Sequence, residues 1–133
     1  MIKLLLDTNI CIYIIKQKPP TVLSKFNNYK VGDIGISTIT VAELQYGVHK
    51  SARPTKNKEA LEQFLLPLEI VEFDRAAANI YGEIRANLEK AGTPIGAMDM
   101  LIAAAAIAND LILVSNNIKE FTRIPELKLE NWV

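Results

Sequence analysis

Short apolar runs alternate along the chain with longer stretches in which apolar positions recur every three or four residues. Ile2 to Leu6, interrupted only by Lys3, has the continuous pattern of a buried strand. Asn9 to Lys16 then reads as a helix stopped by Pro19-Pro20, and a second short helix starts at Pro20 with Val22, Leu23 and Phe26 on one face. Ile34 to Ser37 is a second strand, followed by a helix through Val41, Leu44 and Val48. Thr55 is placed to cap a further helix through Leu61, Phe64 and Leu65. Leu68 to Phe73 is a third strand. Asp74 caps a long helix with Ala77, Ile80, Tyr81, Ile84 and Leu88 at helical spacing, and Gly92 ends it. After the loop Thr93 to Gly96, Asp99 opens an alanine-rich helix that is apolar nearly all round and is therefore expected to be the buried central one. Leu111 to Ser115 is a fourth strand, and Leu127 to Trp132 adds a fifth at the edge.

Strands alternating with helices predict an α/β fold, with a mostly parallel sheet of four to five strands and right-handed crossovers. The chain shows no internal repeat, low-complexity segment or linker, so residues 1–133 are expected to form one domain, a length sufficient for a hydrophobic core.

Composition narrows the function classes. Half the residues are apolar and 23% are charged, an ordinary globular balance. The 15 Lys and Arg equal the 15 Asp and Glu, so strong non-specific nucleic-acid binding through excess positive charge is not expected. A nucleic-acid substrate would have to be held by local basic patches, metal ions or a second copy. The single cysteine, Cys11, lies in the apolar run Ile10-Cys11-Ile12 and reads as a small buried side chain in a reducing, cytoplasmic compartment. The apolar run before Asp7 is too short for a secretory leader, and no stretch is long enough to span a bilayer, so no membrane partner is expected.

The chemistry falls at strand-to-helix transitions. In open α/β sheets functional groups gather at the carboxyl ends of the strands. Asp7 ends the first strand, Glu43 follows the second, Asp99 starts the central helix, and Asn116, Asn117 and Glu120 follow the fourth. Each has a structural alternative. Asp7 can cap the first helix, Thr40-Val41-Ala42-Glu43 has the form of a capping box, Asp99 can serve the helix dipole, and Asn116-Asn117 can be a turn. Taken together the acids argue otherwise. Two carboxylates at about 4 Å repel by roughly 4 kcal/mol at an effective dielectric near 20. A divalent cation reverses that sign, and an all-oxygen set without Cys or His favours Mg²⁺, with Mn²⁺ as second choice, over Zn²⁺. Such a site suits metal-assisted phosphodiester hydrolysis. The lone His49 lies away from these acids and is not needed by this chemistry. The acid-free segment His49 to Lys58 reads as a solvated loop or, through Lys50, Arg53, Lys56 and Lys58, as the best candidate for RNA phosphate contacts.

Leu6-Asp7-Thr8-Asn9, Ile36-Ser37 leading to Ala42-Glu43-Leu44, Pro94-Ile95-Gly96 through Asp99 to Ile102-Ala103, and Ser115-Asn116-Asn117 to Glu120-Phe121 together resemble the PIN domain. The order and spacing resemble most the VapC toxins of bacterial VapBC toxin–antitoxin pairs, over essentially the whole chain. The resemblance implies a PIN-like three-layer α/β/α sandwich, Mg²⁺- or Mn²⁺-dependent endoribonuclease activity, a homodimer, and silencing by a cognate VapB-type antitoxin. It implies Asp7 and Asp99 as main metal ligands, Glu43 as the third acid, and Thr8 and Ser115 as groups orienting acids or waters. Many PIN domains carry a fourth acid where this chain has Asn117, which can ligate through its amide oxygen, while Glu120 is placed to supply the missing carboxylate. Some similar proteins cut the anticodon stem-loop of initiator tRNA, which makes tRNA one candidate target.

Other readings fit less well. A response-regulator receiver needs an acidic pair after the first strand and a lysine at a later strand end, and a haloacid-dehalogenase-type phosphatase needs Asp-x-Asp where position 9 is Asn. A PIN-like scaffold that binds antitoxin or RNA without cleaving gains footing from Asn117 but not from the intact acids. A nuclease acting on DNA is hardly separated by sequence, although the short chain favours RNA.

Overall fold

The computed structural model describes all 133 residues. Five short strands form one all-parallel sheet in the order β3-β2-β1-β4-β5: β1 Leu4–Leu6, β2 Ile34–Ser37, β3 Glu69–Val71, β4 Ile112–Val114 and β5 Leu129–Glu130. Seven helices connect and cover them: α1 Thr8–Lys16, α2 Pro20–Asn27, α3 Thr38–Lys50, α4 Pro54–Leu65, α5 Arg75–Lys90, α6 Ala97–Ala108 and α7 Ile118–Phe121. Every predicted strand and helix is present, with β5 at the edge as expected, β2 at its predicted bounds and the other four strands shorter than their predicted runs.

The alternation of side chains along β1 divides the core. Leu4 and Leu6 join a cluster with Ile10, Cys11, Val22, Leu44, Leu61 and Trp132, so α1 to α4 cover one face. Leu5 points the other way, into a cluster with Ile84, Leu88, Ile102 and Leu113, so α5 and α6 cover the opposite face. This is the three-layer α/β/α arrangement. Within α6, Ala103 to Ala106 are completely buried, and their small side chains let α5 and the sheet approach closely. Cys11 is fully buried, as its apolar neighbours predicted.

Local chemistry sets the helix ends. Asp74 caps α5 by accepting from Ala77 N at 3.0 Å. Beyond Lys90, Gly92 takes φ +71°, and Gly92 N and Thr93 N donate to the carbonyls of Glu89 and Leu88, closing the helix as the sequence indicated. Two expectations fail at helix starts, and a third boundary shifts while leaving its acid in the first turn. Ser37, not Thr40, caps α3, accepting from Thr40 N at 3.1 Å, so Glu43 lies in the second turn and is free of the capping box. Thr55 caps nothing, because α4 begins at Pro54, whose ring presets the first helical residue. Asp99 sits in the first turn of α6, two residues after its start at Ala97.

Candidate active site

The strand order reverses beside β1, which has β2 on one side and β4 on the other. At such a switch point the two connections leave in opposite directions and open a crevice at the carboxyl ends of the strands. Asp7, the residue after β1, stands there with 3% exposure. Its backbone N donates to Val114 O of β4 at 2.9 Å, tying it to the neighbouring strand. Its Oδ1 accepts from Thr8 N at 2.8 Å, and its Oδ2 accepts from the Ser115 hydroxyl at 2.7 Å. The helix-cap alternative is thus true of one oxygen only. The other is held by a serine 108 residues away.

Ser115 is itself completely buried and accepts from Asn117 N at 2.9 Å, so the turn after β4 and the end of β1 are one hydrogen-bonded unit. The two asparagines part company. Asn116 turns to Tyr13 and donates to its hydroxyl at 2.9 Å, while Asn117 Nδ2 donates to Asp99 Oδ2 at 3.3 Å. Asn117 therefore presents its amino group to the cluster rather than the ligating oxygen that its position suggested.

Glu43 reaches the same place from α3. Its Oε1 accepts from the Thr8 hydroxyl at 2.6 Å. Behind Thr8, Thr40 Oγ1 lies 3.3 Å from Thr8 Oγ1 and 3.5 Å from Ser37 Oγ, and both Thr40 and Ser37 are fully buried. Motif spacing assigned neither to the site. The available signal was the run Ser37-Thr38-Ile39-Thr40, which places three hydroxyls at one strand-to-helix junction.

Electrostatics shows that the four acids share one field. Burial and, to a smaller extent, Glu43 raise the Asp7 carboxyl above its ordinary value, although its two hydrogen bonds oppose the shift. Asp99 is raised to about 6, first by burial and then by the charges of Asp7, Glu120 and Glu43, with the Asn117 bond acting the other way. No basic side chain answers them. The ion pairs of the molecule are Lys3–Asp33, Arg85–Glu89 and Lys128–Asp110, all elsewhere. Repelling, half-buried carboxylates without a basic partner suit a hard divalent cation, and the donor set is oxygen throughout. No three acids close into a cage by themselves.

The predicted RNA-contact residues are not at the cluster. Lys50 lies seven residues beyond Glu43 on α3, about 10 Å along the helix axis. The segment is a helical corner rather than a loop, since Lys50 ends α3, Arg53 precedes α4, and Lys56 and Lys58 are on α4. All four are exposed, and Lys50 Nζ stands 4.9 Å from the centre of the Tyr46 ring. His49 is exposed at the same corner, away from the acids.

Known proteins resemble this chain over its whole length. The PIN domain family matches residues 4–127. The chain is 48% identical over 133 residues to Ribonuclease VapC2 of Haemophilus influenzae, covering all of both chains. It is 43% identical over 132 residues to the tRNA(fMet)-specific endonuclease VapC of Shigella flexneri, covering 99% of each. Its fold is similar to that in the crystal structure of VapBC2 from Rickettsia felis bound to a promoter DNA fragment, with a TM-score of 0.92, 47% identity and full coverage of both chains. A three-layer parallel fold, acids gathered at its switch point and this degree of likeness agree: the chain belongs to the PIN domain family, among its VapC members.

Proposed function

We propose that this protein is the toxin of a VapBC-type toxin–antitoxin pair, an endoribonuclease that uses a divalent metal ion, Mg²⁺ foremost, to hydrolyse RNA phosphodiester bonds. The observation that carries the reading is the shared field of Asp7, Glu43, Asp99 and Glu120 with no cationic side chain to offset it. Residues 1–133 act as one PIN domain. Asp7 and Asp99 hold the metal, and Glu43 is the third acid of the site. When bound, the ion supplies Lewis acidity, activating water for attack on phosphorus and offsetting charge that builds on the phosphate. Ser115 and Thr8 N hold the two oxygens of Asp7, and Asn117 orients Asp99. Glu120, on α7, supplies the fourth negative charge in place of the acid that Asn117 lacks. Lys50, Arg53, Lys56 and Lys58 provide an outlying track for RNA phosphates. The partner is a VapB-type antitoxin, supported by the VapBC complexes among similar structures. A tRNA target is supported by the Shigella relative named as a tRNA(fMet)-specific endonuclease.

The decisive experiment is brief expression followed by sequencing of RNA 5′ ends, paired with cleavage of purified RNA in Mg²⁺ or EDTA. New ends and growth arrest are expected with the wild-type chain. Both should vanish with Asp7→Ala or Asp99→Ala, and undiminished cleavage by either variant would remove the assignment.

A further inference from the structure

On the nuclease reading, Glu43 is a partly exposed glutamate that has to keep one orientation towards the other acids. We infer that Thr40, through Thr8, is the positioning residue for Glu43: a chain of hydroxyls, from buried Ser37 and Thr40 to partly exposed Thr8, points its protons towards the carboxylate.

A threonine hydroxyl has one proton and two lone pairs. Thr8 commits its proton to Glu43 Oε1 at 2.6 Å. Its oxygen then needs a donor, and the hydroxyl in range is Thr40 Oγ1 at 3.3 Å. Thr40 in turn has Ser37 Oγ as its remaining neighbour, at 3.5 Å. Ser37 is anchored because its Oγ accepts from Thr40 N, which makes the α3 cap and the relay one structure. Thr40 and Ser37 are both fully buried, so no water replaces a missing hydroxyl at their end of the relay, while Thr8, at the other end, is partly exposed. The relay bridges the beginnings of α1 and α3, which carry Thr8 and Glu43. Without Thr40 Oγ1, Thr8 keeps its bond to Glu43 but loses the neighbour that selects its rotamer, and a threonine has more than one accessible χ1 well. Glu43 then samples orientations away from the other acids.

Thr40→Val tests this by removing the hydroxyl at nearly constant volume, while the Ser37 cap to the backbone N is retained. Two quantities are read: three-bond couplings to Thr8 Cγ2 in the metal-free protein, which report its χ1 rotamer, and kcat and KM for RNA cleavage. The expected result is one rotamer in the wild type, averaging in Thr40→Val, and a kcat lower by about 10- to 100-fold at little-changed KM, the scale of losing a group that orients a site carboxylate. Thr40→Ser restores the hydroxyl and is expected to recover both readouts. A single Thr8 rotamer in Thr40→Val overturns the proposal. So does rotamer averaging with wild-type kcat, or a Thr40→Ser protein as impaired as Thr40→Val, since either makes the effect one of packing. If the wild-type chain cleaves no RNA, the nuclease reading fails on its own, and the Thr8 couplings still decide whether the relay exists.

Discussion

At the scale of single residues, the site is an electrostatic liability in the metal-free protein. Asp99 is held at about 6 when folded against an ordinary 3.8, so between those values the folded chain binds the proton more tightly than the unfolded one. The contribution of this group to stability is therefore largest below pH 3.8 and is lost as pH rises through 6. Asp99→Asn removes the charge and is expected to raise the unfolding free energy of the metal-free protein at about pH 7.5. Discounted for the half exposure of the side chain, the gain is about 1 kcal/mol, readable by urea denaturation. The same variant should show no rise in Tm on adding Mn²⁺, whereas the wild type should. Protons also compete with the metal, so titration calorimetry of the wild type should find Mn²⁺ affinity falling about tenfold per pH unit below about 6. An affinity that stays flat between about pH 5 and 6 would count against Asp99 as a ligand.

At the scale of elements, the short strands act mainly through the residues at their carboxyl ends. β1 has three residues and β4 three, yet Asp7 and Ser115, immediately beyond them, bond side chain to side chain. Helix starts were the least legible feature. Thr40-Val41-Ala42-Glu43 carries the letters of a capping box, but Ser37 lies three residues earlier and takes the cap, which releases Glu43 for the site. Helix ends were clearer, because a positive φ selects strongly for glycine. Gly92 at φ +71° has open space around it, so Gly92→Ala should cost about 1 kcal/mol from backbone strain alone. The loss should appear as a lower midpoint in urea at unchanged slope.

At the scale of the whole molecule, equal numbers of acids and bases leave no net attraction for a polyanion, so RNA must be held locally. The α3–α4 corner offers Lys50, Arg53, Lys56 and Lys58, all exposed and none in an ion pair. Replacing Lys56 and Lys58 by Glu is expected to weaken RNA binding and to flatten its log–log salt dependence by about 0.7 for each phosphate no longer neutralised. Mn²⁺ affinity should stay unchanged, because neither lysine forms an ion pair with the acids. An unaltered salt slope would place the RNA path elsewhere. No helix of the molecule is long and apolar enough to cross a membrane.

The sequence by itself determined the alternation of strands and helices and hence the parallel sheet, because apolar periodicity distinguishes the two kinds of element, while the three-layer order rested on the resemblance to the PIN domain. It also placed Asp7 and Glu43 just beyond strand ends, which can be read from where apolar runs stop, whereas Asp99, expected at a strand-to-helix transition, follows the loop between α5 and α6 and is brought to the same edge only by the fold. Only the tertiary structure decided how those positions are connected. Ser115 meets Asp7 across 108 residues and Thr8 meets Glu43 across 35, and no local pattern encodes such a contact. It likewise decided that Asn117 offers its amino group to Asp99 and that Thr40 belongs behind the site. Hydrogen-bond direction and burial are set by neighbours that fold in from distant parts of the chain, and that is where the sequence stops being informative.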